Sequence, residues 1–201
     1  FNRCLDAASA AVKQAMKQTV PVTHVATGEV KVDKVASNRR ILGPDGKVAS
    51  QRGSSSTSAE HHSLPEGVID PMLKTIALYN NQQKVISSHY YACHPMSYYG
   101  DGRVSADFCG LARKQRQQQE PGCTHLYFNG CGGNIGAGKY NDGSKDMRPV
   151  LTQRILDGIV GSEKNHDPQP IESVRWHTVD IQPPSDKRFD ETQLMAQISD
   201  K

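Results

Sequence analysis

Apolar residues in the first eighteen positions, Leu5, Ala8, Val12, Ala15 and Met16, recur at helical spacing and give one apolar stripe on a helix over Asn2–Gln18. Asn2 suits its start and Pro21 follows its end. The period then shortens: Val22–Ala26 and Glu29–Val35 alternate as strands, and Gly43-Pro44-Asp45-Gly46 reads as a turn. The serine-rich stretch from Ser50 to Ser63 has almost nothing to bury and predicts a loop or mobile flap. Met72–Leu78 and Val85–Ala92 read as strands flanking a hairpin turn at Asn80-Asn81. A loop from His94 to Gly102 precedes a helix over Asp107–Gln118, with Ser105 as its cap and Phe108, Leu111 and Ala112 inward. Pro121-Gly122 ends that helix, and the strand Thr124–Phe128 leads into a glycine-rich loop, Gly130 to Gly138. A second helix over Pro149–Val160 carries the stripe Val150, Ile155, Leu156 and Ile159. Asn165–Pro170 reads as a linker, Val174–Ile181 as a last strand, and Thr192–Lys201 as the start of another helix. Strands separated by helices predict an α/β fold, a mixed β-sheet with flanking helices.

Composition narrows the picture. The 201 residues are only 36% hydrophobic, below the usual ~45–50%, and mean hydropathy is −0.62, so long polar loops around a modest core are expected. A chain that starts at Phe1 and stops within a helix reads as an incomplete domain, with residues 1–182 as the partial domain and 183–201 as a truncated tail. No apolar run approaches the ~20 residues of a membrane span. A net charge of +3, with basic residues clustered only at Arg113-Lys114-Gln115-Arg116, argues against a nucleic-acid partner. Five cysteines (4, 93, 109, 123, 131), none in a CxxC pair, argue against a disulfide framework or a zinc ribbon.

Three stretches carry candidate chemistry. In Tyr91-Ala92-Cys93-His94-Pro95 a strand runs into a histidine and proline stops it. Ligands gather beyond the carboxyl ends of strands in open α/β sheets, so His94 is placed to bind a metal or move a proton; the alternative is a strand-end histidine bonded to backbone. His89, five positions earlier, faces the other way and reads as structural. The loop Asn129–Lys139 contains Gly133-x4-Gly138-Lys139, most of a phosphate-binding loop, but Tyr140 stands where a Ser or Thr would hold magnesium and a turn follows where a helix should. Close approach of backbone to a ligand accounts better for so many glycines. In Ser37-Asn38-Arg39-Arg40 an arginine can grip a carboxylate or polarised carbonyl, or simply form a solvated turn. His61-His62 reads as part of a solvated loop, and Asp107 as a first-turn carboxylate or an acceptor that orients His94.

These pieces, in this order, resemble the catalytic domain of the neutral/alkaline (non-lysosomal) ceramidases, in particular bacterial ceramidase-like proteins. The matching stretches are Phe1–Gln18, Ser37–Arg40, Glu66-Gly67-Val68-Ile69-Asp70-Pro71, Tyr91–Pro95, Ser105-Ala106-Asp107-Phe108-Cys109-Gly110 and Asn129–Gly138. The resemblance implies a zinc-dependent amidase that hydrolyses the N-acyl bond of a small-molecule or lipid amide such as ceramide, often exported or membrane-associated. It implies that His94 is a zinc ligand, that Arg39 beside Asn38 lies in the active site, and that Gly133, Asn134 and Gly136 lie beside the metal. Arg39 and Asn134 are then the candidate catalytic groups; Asn38, Gly133 and Gly136 would contact substrate. The family loop reads roughly Gly-Asp-hydrophobic-Ser-Pro; here Asn134 replaces the Asp and Gly136 the Ser. The other zinc ligands would lie outside Phe1–Lys201, so these residues alone are expected to be inactive. The loss of the serine hydroxyl keeps open a non-catalytic binding domain, and the Gly133–Lys139 loop a nucleotide-binding module.

Overall fold

The computed structural model describes residues 1–100, 102–184 and 190–199. Along the chain the elements are α1 (Asn2–Ala15), β1 (His24–Lys31), β2 (Ser37–Asn38), β3 (Arg40–Leu42), β4 (Val48–Gln51), α2 (Ala59–Ser63), β5 (Met72–Asn80), β6 (Gln83–Tyr91), α3 (Asp107–Gln119), β7 (Thr124–Asn129), β8 (Ile135–Gly136), α4 (Met147–Glu163), β9 (Gln169–Pro170) and α5 (Glu191–Ser199). Residues 185–189 of the expected tail and the last two of its helix lie outside the described residues.

The alternation in β5 does what a half-covered sheet requires. Leu73, Thr75, Ala77 and Tyr79 are buried, while Lys74 and Ile76 face out. The β5–β6 hairpin turns at Asn81, whose φ is +53°. β1 and β6 flank β5 antiparallel, β7 adds to β6 in parallel, and β9 closes the far edge beside β1. The result is a mixed five-stranded sheet, as the pattern of elements predicts. Helices α3 and α4 pack against it. The core between them holds Leu73, Tyr91, Phe108, Leu151, Ile155 and Ile159.

Several expectations change. β1 runs unbroken through Gly28, because pairing with β5 overrides the local weakness of glycine in a strand. Phe108 and Ala112 point inward as expected, but Leu111 is exposed; Leu151, not Val150, joins the α4 stripe. The "linker" supplies edge strand β9. Ser105 accepts a hydrogen bond from the Asp107 N–H, while the residue preceding α3 is Ala106. Neither Asn2 nor any other side chain caps α1, and α1 buries no residue. The compact unit ends at Ile171, and residues from Glu172 onward form a separate unit. There Val174–Ile181 forms no strand: it has no ladder to join, and Val174, Trp176, Val179 and Ile181 are exposed.

A polar layer lies between the sheet and the ends of α3 and α4. Glu163 accepts from Ser87 and Lys84 on β6 and from Arg116 on α3 at 2.6–3.0 Å. These partners overcome its burial and hold its pKa down at about 2. His89, as anticipated, is structural: it is fully buried, and desolvation lowers its pKa to about 3. Both shifts act in one direction. Unfolded chains take up protons on histidine below ~6.5 and on glutamate below ~4.3 that the fold excludes. Unfolding free energy is therefore expected to be flat above pH 6.5. It should fall by up to about 1.4 kcal/mol per pH unit from there toward 3 through His89, and further from about 4.3 toward 2 through Glu163. Urea titrations across pH 3–8 measure this, and His89→Gln should flatten the upper part of the slope.

Candidate functional site

Beyond the carboxyl ends of β6 and β7, chain segments far apart in sequence are laced together by backbone. β2 pairs with β8 (Ser37 opposite Gly136, Asn38 opposite Ile135), so Ser37–Arg40 and the glycine loop form one small ribbon. The Ser37 hydroxyl donates to the Gly136 carbonyl at 2.9 Å. The Arg39 N–H donates to the Asn134 carbonyl at 2.7 Å, and the His94 N–H to the Ile135 carbonyl at 3.0 Å. The glycines are what permits this proximity. A Cβ on Gly130 or Gly132 would sit 3.3 Å from the backbone of Ala92 or Cys93, and one on Gly138 would overlap the Gly53 carbonyl at 2.2 Å.

The side chains follow. His94 is half-buried, and its Nδ1 lies 3.3 Å from the Gly132 carbonyl, which can only accept, so Nδ1 is the donor and in the neutral ring Nε2 presents the lone pair. Arg39 is half-buried, and its Nε is buried with no partner. That unmet donor is the feature expected of a group that awaits an acceptor. Asn134 is fully engaged: its Oδ1 accepts from the Arg40 guanidinium at 3.0 Å, and its Nδ2 donates to the Asn38 Oδ1. Asn38 in turn is braced by the Glu66 carbonyl at 2.6 Å. Gly133 is exposed with open space around it, whereas Gly136 is buried against Ser54. An open groove of about 500 Å³ runs beside this ribbon, lined by Ile69, Met72, Tyr90, Ala92, Cys131 and Ile135 among others.

The serine-rich segment is neither empty nor a flap. Arg52, fully buried, donates to the carbonyls of His61 at 2.8 Å, Pro65 at 2.9 Å and Asn38 at 3.0 Å. His61 and His62 do not form a metal pair but hold this segment through Ser50 and Ser56. Asn141, also fully buried, bridges the carbonyls of Ser54 and Ser97 at 2.9 and 2.6 Å. Asp107 does not touch the His94 ring. It adopts φ +49° and accepts from the Ser97 N–H and the Arg148 guanidinium, both at 3.1 Å, which fixes the loop that follows His94. Sequence reasoning missed Arg52 and Asn141; the one available signal was an arginine amid small residues with nothing acidic nearby.

The phosphate-loop reading fails on geometry. Residues 135–136 are a ladder strand, not an anion-binding nest, and no helix follows directly. Lys139 spends its ammonium on the carbonyls of His62 and Leu64.

No protein-family profile and no curated protein sequence matches the chain. Solved structures do. Neutral ceramidase from Pseudomonas aeruginosa superposes with a TM-score of 0.58 at 16% identity, over 82% of this chain and 26% of that one. A ceramidase in complex with C2 gives 0.57 at 14% identity, over 76% and 24%. The fold is ceramidase-like. The chain spans about a quarter of the length of these ceramidase structures. Among the described residues no helix is long and apolar enough to cross a membrane.

Zinc, which the resemblance implies, does not fit these residues as a complete site. His94 offers one correctly oriented nitrogen, yet no trio of His, Cys, Asp or Glu able to share an ion includes it among the described residues. One imidazole does not hold zinc, which takes three protein ligands or more.

Proposed function

We propose that this chain is part of the catalytic domain of a ceramidase-like hydrolase that cleaves an amide (N-acyl) or related carbonyl bond. The observation that supports the reading is that one glycine ribbon bonds the backbones of both Arg39 and His94 in a ceramidase-like fold, while the buried Arg39 Nε has no partner. His94 would offer a zinc ion one nitrogen, and the described residues supply no partner ligands beside it. Arg39 holds the carbonyl oxygen as it gains negative charge, or the product carboxylate. Asn134 and Asn38 keep the ribbon in register, Gly133 leaves room for the substrate, and Gly136 lines the floor. The apolar groove beside Ala92 takes the hydrocarbon part of a lipid amide.

The test is fatty-acid release from an N-acylated long-chain amine by the full gene product with zinc supplied. His94→Ala is expected to abolish release, and Arg39→Ala to lower kcat about 10²-fold. Zinc-dependent release that survives His94→Ala sinks the proposal. A second reading, a binding domain without chemistry, is favoured by Gly136 where the family has serine. It predicts saturable binding of the same amide without turnover or bound zinc.

A further inference from the structure

Away from the His94 site, the end of α3, the turn after it and the start of β7 bring a carboxylate, a thiol and an imidazole together. Donor atoms of Glu120, Cys123 and His125 all lie within 4.8 Å of one another. The decisive feature is which way the protons run along the chain of hydrogen bonds leading to His125. The Ser162 hydroxyl donates to the Ile159 carbonyl at 2.8 Å, so its oxygen must accept from Thr75, 2.6 Å away. The Thr75 oxygen therefore accepts from His89 Nδ1 at 2.8 Å. His89 is fully buried and touches no carboxylate, so it is neutral and its Nε2 is an acceptor. That nitrogen, 3.0 Å from His125 Nδ1, obliges His125 to carry its proton on Nδ1. His125 Nε2 is then left as a bare lone pair, fully buried, without a hydrogen-bond partner, and 3.2 Å from Glu120 Oε2. Lys84 and Arg116 already hold Glu120 Oε2, at 2.8 and 2.5 Å, but the buried His125 lone pair has no donor of its own, and a cation beside Glu120 would supply what it lacks.

We propose that Glu120, Cys123 and His125 form a binding site for a zinc-class divalent ion, with the remaining position left to solvent. Carboxylate, thiolate and imidazole together select a borderline-soft ion over magnesium or calcium. A tetrahedral zinc site sets its donors about 3.3–3.8 Å apart, so these need to close by at most about 1.5 Å. The surroundings are built for the purpose. The hydrogen-bonded His89 fixes the ring of His125 as an outer-shell partner does. Gln117 clamps the backbone on both sides, donating to the Cys123 carbonyl at 2.6 Å and accepting the His125 N–H at 2.9 Å. Glu120, 31% exposed, gives the ion its route from solvent. Binding displaces the Cys123 thiol proton to solvent, so the ion meets two anionic ligands. Lys84 and Arg116 both contact Glu120 Oε2, and each keeps a second partner in Glu163, at 3.0 and 2.8 Å, when the ion takes its place.

Cobalt(II) titrated into chelator-treated protein tests this, because a thiolate ligand gives a near-ultraviolet charge-transfer band that water or imidazole does not. One equivalent is expected to bind with that band. Cys123→Ser should remove the band, and Glu120→Gln, which leaves Lys84 and Arg116 paired with Glu163, should weaken binding at least tenfold in protein shown to be folded by circular dichroism. His94→Ala, and Cys4→Ser with Cys131→Ser, should leave the band intact, which separates this site from the proposed hydrolytic one and from the exposed thiols. Absence of the band in the wild type, its persistence in folded Cys123→Ser, or unchanged affinity in Glu120→Gln overturns the proposal.

Discussion

Arg52→Ala is expected to lower unfolding free energy by about 3–5 kcal/mol, measured by urea denaturation, the largest loss of any single side chain at the site. The reason lies in what Arg52 holds. Its fork is the common donor for three carbonyls on separate stretches: Asn38 in β2, His61 in α2 and Pro65 beyond it. Desolvation lowers its pKa from the usual arginine value, yet a guanidinium remains charged, so the cost of burying it is met by these charge-assisted bonds. Truncation removes all of them and leaves buried carbonyls unsatisfied. Arg52→Lys should recover only a minor part, because a point donor cannot span both sides of the fork. Asn38 and Arg39 sit one bond away from this anchor: the Arg52 N–H donates to the Arg39 carbonyl at 2.8 Å. A folded Arg52→Lys variant is therefore expected to impair whatever Arg39 does. Losses below 1 kcal/mol in Arg52→Ala would mean that the segment is held by other contacts.

Arg52 also marks where the sequence stops being readable. The strands of the β5–β6 hairpin, β7 and α4 follow from short-range period, and each forms within two or three residues of its expected place. His94 stands at a strand end because Pro95 cannot continue the ladder, and the glycine loop approaches it because residues without Cβ can. The segment from 50 to 63 has no such period. Its order comes from one buried cation, together with Lys139 and Asn141, gripping carbonyls that any sequence possesses, so no residue pattern announces the partners. At α1 the helix forms where the pattern predicts it but buries no residue, and at 174–181 the expected strand does not form. There the apolar pattern is present, but no surface among the described contacts receives it, and pattern alone does not supply a partner.

Gly28→Ala is expected to cost about 3 kcal/mol or more, whereas Gly133→Ala should change stability by less than about 0.5 kcal/mol. Both residues are glycines in regions the family resemblance or the sheet covers, and only their surroundings separate them. A Cβ on Gly28 would lie 1.9 Å from the Ser162 carbonyl, a backbone atom of α4 that has no rotamer to retreat into. Around Gly133 nothing lies within 4 Å. The clash at Gly28 is relieved only if α4 lifts from the sheet. Gly158 resists that movement being local, since its own missing Cβ seats α4 against Val32 and Leu73. Lifting also pulls Ser162 from Thr75, which pairs with Gly28 across the ladder, and so breaks the hydrogen-bond chain that orients His89 and His125 at its start. Gly28→Ala should therefore weaken cobalt binding at Glu120, Cys123 and His125 even where the protein stays folded, while Gly133→Ala should not. Equal stability losses in the two variants would mean that the helix approaches the sheet less closely than the Gly28 contact requires.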